Sequence, residues 1–145
     1  MTEIEFHFNV PDKLLYGCRL LRKVYRSGAK AVVTAEPEFL NELDQLLWRF
    51  SPTEFLPHCL TNANEHSLAV TPVLLAERLD VCPPDSVLIN LGQTIPGDFE
   101  RFERFIEVVS GLENDRLLGR GRWTHYKDRG YALKRHDLST SRETT

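Results

Sequence analysis

The chain has 145 residues, a formal net charge of −3 and 41% hydrophobic residues, which is typical of a single soluble globular domain. A domain of this length buries about 68–70% of its unfolded surface, so its folding does not require disulfides or a metal. The slightly acidic balance excludes a protein that coats nucleic acid through bulk positive charge, so any site for a polyanion must be local.

The three cysteines, Cys18, Cys59 and Cys82, are spaced too widely for a zinc ribbon or a redox pair. Isolated cysteines of this kind are typical of proteins in a reducing cytosol. The N-terminus lacks the basic and apolar regions of a signal peptide, and no apolar run approaches the roughly 20 residues of a membrane span. The sequence therefore predicts a cytoplasmic protein that makes no membrane contact.

The first half of the chain alternates predicted strands and helices. Residues 4–9 alternate apolar and polar side chains with the period of a strand. Asp12 marks the start of an amphipathic helix, and Gly28 stands where a helix commonly ends. A short apolar run at 31–34 predicts a strand covered on both faces, and Pro37 favours the start of a second helix.

The middle of the chain combines a loop with further short elements. Residues 52–69 have the composition of a long loop, and the apolar runs at 73–76 and 87–91 each predict a strand. The helical spacing of phenylalanines predicts a helix over 98–111. Glu107 and the other charged residues of that segment are interpreted as its solvated face.

The densest positive charge lies in residues 115–131, where we predict a helix capped by Asn114 or Asp115 and ended by Gly130. Four of its side chains share one helix face at i, i+4, i+7 and i+11, namely Arg116, Arg120, Trp123 and Lys127. Cations that flank an exposed indole suit an acidic ligand with an apolar or aromatic anchor. A solvated arginine-rich helix with a half-buried tryptophan would explain the same residues.

Short apolar strands between amphipathic helices predict an α/β protein, a three-layer α/β/α single domain with a mainly parallel sheet of four to five strands. Residues 131–134 would supply the last of these strands. The domain is expected to occupy 1–136, and 137–145 form a polar C-terminal tail that we expect to be disordered unless a partner orders it.

Motifs for catalysis are absent from the sequence. There is no phosphate-binding glycine loop with a lysine, and no G-x-S-x-G serine elbow. The five histidines lack the spacing of metal ligands, and each is predicted to be an isolated hydrogen-bonding or surface histidine rather than a ligand: His7, His58, His66, His125 and His136. We therefore expect no catalytic residue, no cofactor and no metal site.

Aromatic residues crowd around the end of the second predicted helix, at Trp48, Phe50 and Phe55. Aromatics on a loop bounded by prolines are enriched at partner-binding surfaces. For Trp48 or Phe50 taken alone, a small satellite core beneath a long loop is the favoured explanation.

An ordered set of motifs runs through the chain. The first motif, at 43–48, is Leu-Asp-Gln-Leu-Leu-Trp. It is followed by Phe-Leu-Pro-His at 55–58 and by Val-Leu-Ile-Asn-Leu at 87–91. The last motif, at 120–131, is Arg-x-Arg-Trp-x-x-Tyr-Lys-x-x-Gly-Tyr. In this order the motifs resemble the chi subunit family of bacterial DNA polymerase III holoenzyme. The resemblance extends to about His136.

The resemblance implies a non-enzymatic adaptor with an α/β fold. Proteins of the family bind the acidic, phenylalanine-terminated C-terminal tail of single-stranded DNA-binding protein. They also bind the psi subunit of the clamp loader, and in some bacteria a repair helicase competes for that second site, so DNA is reached only indirectly. The implied tail-binding residues are Arg116, Arg120, Trp123 and Trp48, with Trp48 expected beside the last helix, and the implied psi or helicase contact is Phe55.

Gly119 and Gly121 depart from what a stable helix prefers, since each costs about 0.5–1 kcal/mol relative to alanine. They could bend the last helix and separate Arg116 from Trp123. Two other functions remain open on the residues alone. One is direct binding of single-stranded nucleic acid by the basic aromatic helix, and the other is a nucleotide-dependent enzyme, suggested only by the α/β class.

Overall fold

A computed structural model of the chain describes residues 2–49, 57–60, 71–80 and 82–139. These residues form one sheet of seven strands in the order β3-β4-β2-β5-β6-β1-β7, and every neighbouring pair is parallel. The strands are β1 Glu3–Val10, β2 Ala31–Thr34, β3 His58–Leu60, β4 Val73–Ala76, β5 Val87–Asn90, β6 Arg104–Ser110 and β7 Ala132–Asp137. The helices are α1 Lys13–Arg26, α2 Pro37–Arg49 and α3 Glu113–Asp128, with a short 3-10 helix at Phe99–Arg101.

The predicted α/β class with a parallel sheet is confirmed, but the sheet is larger than the predicted four to five strands. One additional strand, β3, lies inside the segment predicted to be a loop. The other, β6, lies inside the segment predicted to be a helix. The predicted helix over 98–111 is therefore wrong, apart from the single 3-10 turn at its start.

The error over β6 has a simple physical cause. This strand lies between β5 and β1 in the middle of the sheet, so both of its faces are covered. Phe105 and Val109 contribute to the core on one face, whereas Ile106 and Val108 contribute to the core on the other. In sequence these residues form two adjacent apolar pairs, Phe105–Ile106 and Val108–Val109. Such pairs fit the apolar face of a helix and a strand buried on both faces equally well.

The sheet separates two apolar cores. On one face, α1 and α2 contribute Leu21 and Leu43 to a core that includes Val33 of β2. On the other face, α3 contributes Tyr126 to a core that includes Val32 of the same strand. Successive strand residues point to opposite faces, so α3 lies across the sheet from α1 and α2 and makes the third layer.

Local signals place the ends of the first helix. The Asp12 side chain accepts a hydrogen bond from the Leu15 amide at 3.1 Å and caps α1. Gly28 follows with φ +88°, a left-handed conformation that a residue without a Cβ adopts without strain. Both predictions are confirmed, as is the start of α2 at Pro37.

The last helix starts earlier than predicted. It begins at Glu113 with Leu112 as its N-cap, so neither Asn114 nor Asp115 caps it. The Asp115 carboxylate turns inward instead and accepts a hydrogen bond from the Ser110 amide at 2.8 Å. The helix ends before Gly130, which has φ +85°, as predicted.

Some predictions fall outside the described residues, namely those for Phe50, for Phe55, for most of the 52–69 loop and for the end of the polar tail. Of that tail, the structure describes Asp137 as the last residue of β7 and the chain as far as residue 139. None of the helices in the described part of the chain is both long and apolar enough to span a membrane.

Candidate functional site

Helix α3 approaches the sheet closely because Gly119 faces it. A Cβ placed on Gly119 would lie 2.8 and 2.9 Å from the two methyl groups of Val109 on β6, which is too close for any side chain. A Cβ placed on Gly121 would meet no atom within 4 Å among the described residues, apart from its chain neighbours and the adjoining helix backbone. The helix is continuous through both glycines, so they neither break it nor separate Arg116 from Trp123.

These two glycines give a matched pair of predictions. Gly121→Ala should raise the free energy of unfolding by about 0.5–1 kcal/mol, since alanine favours the helix and its methyl group enters open space. Gly119→Ala should lower it by about 1–2 kcal/mol, because overpacking against the stiff, buried Val109 outweighs the same gain in helix propensity. Urea denaturation of both variants measures the difference, and two changes of the same sign would contradict this packing.

A buried polar network orients α3 from beneath. Glu107 of β6 is fully buried and Arg122 is 3% exposed, and the Arg122 Nε donates to Glu107 Oε1 at 3.0 Å. Tyr126 and Asn90 also donate to this carboxylate, at 2.6 and 3.1 Å. The Arg122 Nη1 donates to the Gln93 carbonyl at 2.8 Å and so reaches the loop after β5. Glu107 is therefore an internal anchor for the helix, and the prediction that it lies on a solvated face is wrong.

Burial dominates the titration of this network. It raises the pKa of Glu107 above its ordinary value, and the Arg122 charge with the hydrogen bonds from Tyr126 and Asn90 offsets part of that rise. Burial and the neighbouring Glu107 carboxylate raise the pKa of the Tyr126 hydroxyl, which therefore stays protonated and donates. Because the Arg122 guanidinium is paired with Glu107 in the interior, it contributes no free charge to the surface of α3.

A second ion pair ties the start of α3 to the start of α1. Lys13 Nζ lies 3.1 Å from Asp115 Oδ2 and donates to the Gly92 carbonyl at 3.3 Å. Burial alone would raise the pKa of Asp115, but the Ser110 amide and the Lys13 charge lower it below its ordinary value. The contact fixes the end of the helix that carries Arg116.

A surface pocket of about 300 Å³ opens between α3 and the strands β1 and β7. Aromatic and aliphatic side chains form its floor, and the Phe6 and Trp123 rings meet edge to face with centroids 5.1 Å apart. Three arginines, two from α3 and one from β7, supply its positive charge. The lining residues are Phe6, Phe8, Asn9, Val109, Arg116, Gly119, Arg120, Trp123 and Arg135.

Arg135 is a pocket residue that sequence reasoning missed. Its guanidinium lies 5.1 Å from the centroid of the Phe8 ring, within the range of a cation–π contact. Arg135 is in register with Phe6 across the parallel pair β1–β7, so both side chains lie on the same face of the sheet. The sequence predicts a short strand near Arg135, but it does not predict the pairing of β7 with β1 that places Arg135 beside Phe6.

The pocket brings together three of the four residues predicted to bind the tail, namely Arg116, Arg120 and Trp123. Lys127, predicted on the same helix face, is exposed but does not line the pocket. Trp48 does not lie beside the last helix, so that prediction is wrong. It is 58% exposed at the end of α2, on the opposite face of the sheet, and its ring centroid lies 4.7 Å from that of His58.

The fold and the pocket define an α/β domain with a basic, aromatic-floored surface pocket, suited to an acidic ligand that carries an apolar group. Residues 1–134 match the sequence profile of the family described as DNA polymerase III chi subunit, HolC. The chain therefore belongs to the DNA polymerase III chi subunit family, as the motifs predicted. Membership gives it an accessory role in DNA replication.

Two relatives show how completely the similarity covers the chain. The DNA polymerase III subunit chi of Pseudomonas aeruginosa is 32% identical over 147 aligned positions, which cover 95% of this chain and 98% of the relative. The DNA polymerase III subunit chi of Haemophilus influenzae is 29% identical over 129 positions, which cover 83% of this chain and 84% of the relative. The family match at 1–134 includes β1 and the whole of α3, and it ends within β7.

Proposed function

We propose that this chain is a non-catalytic adaptor that binds the acidic C-terminal tail of single-stranded DNA-binding protein in the α3 pocket. Through a second surface it joins that protein to the clamp loader of DNA polymerase III, by way of the psi subunit or a repair helicase. The observation that carries the proposal is the pocket itself, in which three arginines surround an aromatic floor in a member of the chi family.

The chemistry of the pocket matches such a tail group by group. The C-terminal carboxylate and the aspartates require cations, and arginine binds carboxylates through paired hydrogen bonds. A terminal phenylalanine ring requires an apolar floor, which Phe6, Val109 and Trp123 provide. The cavity of about 300 Å³ is at the lower end of the usual size for small-ligand pockets, so it suits one side chain.

The energetics set the expected affinity. A short disordered tail loses conformational freedom on binding, so we expect micromolar affinity, on the order of −8 kcal/mol. The tail is attracted by exposed arginines, whose charges salt screens, so binding should weaken as the ionic strength rises. The net charge of −3 confines this attraction to the neighbourhood of the pocket.

The second surface is proposed on the other side of the sheet. The family resemblance implies Phe55 as the psi or helicase contact. Trp48 presents a largely exposed ring against His58, which is close to Phe55 in sequence. We therefore propose that Trp48 contributes to the second surface rather than to the tail pocket. Two partner surfaces on opposite faces would let one domain bind both partners at once.

Calorimetry with a synthetic peptide of the tail sequence tests the proposal. The full chain should bind the peptide with micromolar affinity at low salt, and the same peptide without its terminal phenylalanine should bind much more weakly, because the aromatic floor loses its ligand. Absence of heat with the intact peptide would contradict the proposal. Tight binding to a single-stranded oligonucleotide without the partner protein would instead favour direct nucleic-acid binding by the basic helix.

A further inference from the structure

Three side chains that can bind a metal meet on the face of the sheet opposite the pocket. Glu5 and His7 alternate along β1 with the strand period, so they point to the same face. His136 lies opposite His7 in the parallel pair β1–β7, and the centroids of the two imidazole rings are 4.8 Å apart. The sequence indicated isolated hydrogen-bonding or surface histidines, and the pairing of β7 with β1 brings His7 and His136 together.

The spacing of the three donors approaches that of a coordination shell. Their candidate ligand atoms all lie within 4.8 Å of one another. His7 Nε2 and Glu5 Oε1 are 3.2 Å apart. Tetrahedral zinc with bonds of about 2.0–2.1 Å holds its ligand atoms roughly 3.3 Å apart. Glu5 and His7 already have nearly this separation, and the exposed His136 lies within 4.8 Å of both as the third donor.

Helix α1 orients the His7 ring toward Glu5. The Tyr16 hydroxyl of α1 contacts the His7 Nδ1 and orients the ring, so that Nε2 faces Glu5. A carboxylate only accepts hydrogen bonds, so without an ion the His7 Nε2–H donates to Glu5 Oε1, and metal binding at Nε2 requires that proton to move to Nδ1 or to leave the ring.

We propose that Glu5, His7 and His136 form a binding site for a divalent transition-metal ion such as zinc. The bound ion links β1 to β7. A donor set of two imidazoles and one carboxylate favours divalent first-row transition-metal ions over magnesium and calcium. β7 pairs with β1 at the edge of the sheet, so a shared ion adds a cross-link to a strand held on one side.

Nearby positive charges limit the affinity. Arg104 Nη2 lies 3.9 Å from Glu5 Oε1, and Lys134 is in register with Glu5 on β7. The charge of Lys23 on α1 also acts on His7. These cations oppose a bound divalent ion, so the site is weak and exchangeable rather than a permanently filled structural site. Its occupation would stabilise β7, whose Arg135 lines the pocket on the other face.

Cobalt(II) titration of the full chain without a histidine tag tests this site, since cobalt reports its ligands through its visible spectrum. The wild type should bind one ion with weak visible bands and without the intense near-ultraviolet band of a thiolate ligand. His136→Ala and Glu5→Gln should each lower the affinity at least tenfold. His125→Ala removes a histidine from α3 and should bind cobalt as the wild type does.

Thermal unfolding gives a second readout that does not depend on the colour of cobalt. Zinc chloride should raise the melting temperature of the wild type and of His125→Ala, but not that of His136→Ala, because the ion binds only the folded state. A cobalt spectrum with thiolate bands would place the ion at a cysteine and overturn the proposal. Equal binding by His136→Ala and the wild type would also overturn it.

Discussion

Replacing Arg122 with alanine is expected to lower the free energy of unfolding by about 3–5 kcal/mol. The substitution leaves the Glu107 carboxylate fully buried without its cationic partner. Tyr126 and Asn90 still donate to that carboxylate, but neither carries a charge. The loss also removes the hydrogen bond to the Gln93 carbonyl that ties α3 to the loop after β5.

Arg120→Ala is the matched control for this prediction. Arg120 lies two positions earlier on the same helix and is exposed, so its removal should change the stability by no more than about 0.5 kcal/mol. Urea denaturation of both variants, analysed with a common m-value, measures the contrast. Similar losses in the two variants would mean that the Glu107–Arg122 pair does not anchor the helix.

The same Arg120→Ala variant is expected to lose about 1.5–3 kcal/mol of binding free energy for the tail peptide, which is roughly a 10- to 150-fold weaker affinity. The guanidinium of Arg120 lines the pocket, and a charge-assisted hydrogen bond to a carboxylate is among the stronger polar contacts in water. Since the variant should keep its stability, the loss would report on the contact itself.

Lys127→Ala is the control for binding. Lys127 carries the same charge on the same helix but does not line the pocket. Its removal should therefore weaken binding only through long-range attraction, by less than about 0.5 kcal/mol, and the effect should disappear at high salt. Equal losses for Arg120→Ala and Lys127→Ala would indicate a diffuse electrostatic surface instead of a defined pocket.

The α/β class was predictable because its signals are local. The apolar runs at 31–34, 73–76 and 87–91 are each short enough to be strands and too short to be helices. The strand at 104–110 was not predictable in the same way. Its two-sided burial gives phenylalanines and valines the spacing of a helix face, and only its central place in the sheet decides between the two.

The candidate site shows the same division between local and long-range information. Arg116, Arg120 and Trp123 lie on one helix, so the period of that helix was enough to group them. Trp48 was expected beside the same helix, but its position depends on which face of the sheet α2 covers.

The two arginines that the sequence interpretation left out depend on contacts distant in sequence. Arg135 joins the pocket only because β7 pairs in parallel with β1, and a strand order cannot be read from one sequence. Arg122 has the same charge and nearly the same position as Arg120, but the buried Glu107 draws it inside. Tertiary packing, and not the local sequence, therefore decides which arginines line the pocket.

The most direct test of the tail-binding pocket is a nuclear magnetic resonance titration that follows the two tryptophan side chains separately. The chain has only Trp48 and Trp123, so it should show two indole N–H signals, and Trp48→Phe assigns them. On addition of the tail peptide, the Trp123 signal should move and the Trp48 signal should stay in place, because the two rings lie on opposite faces of the sheet. A shift of the Trp48 signal with an unmoved Trp123 signal would contradict the account and place the tail on the other face.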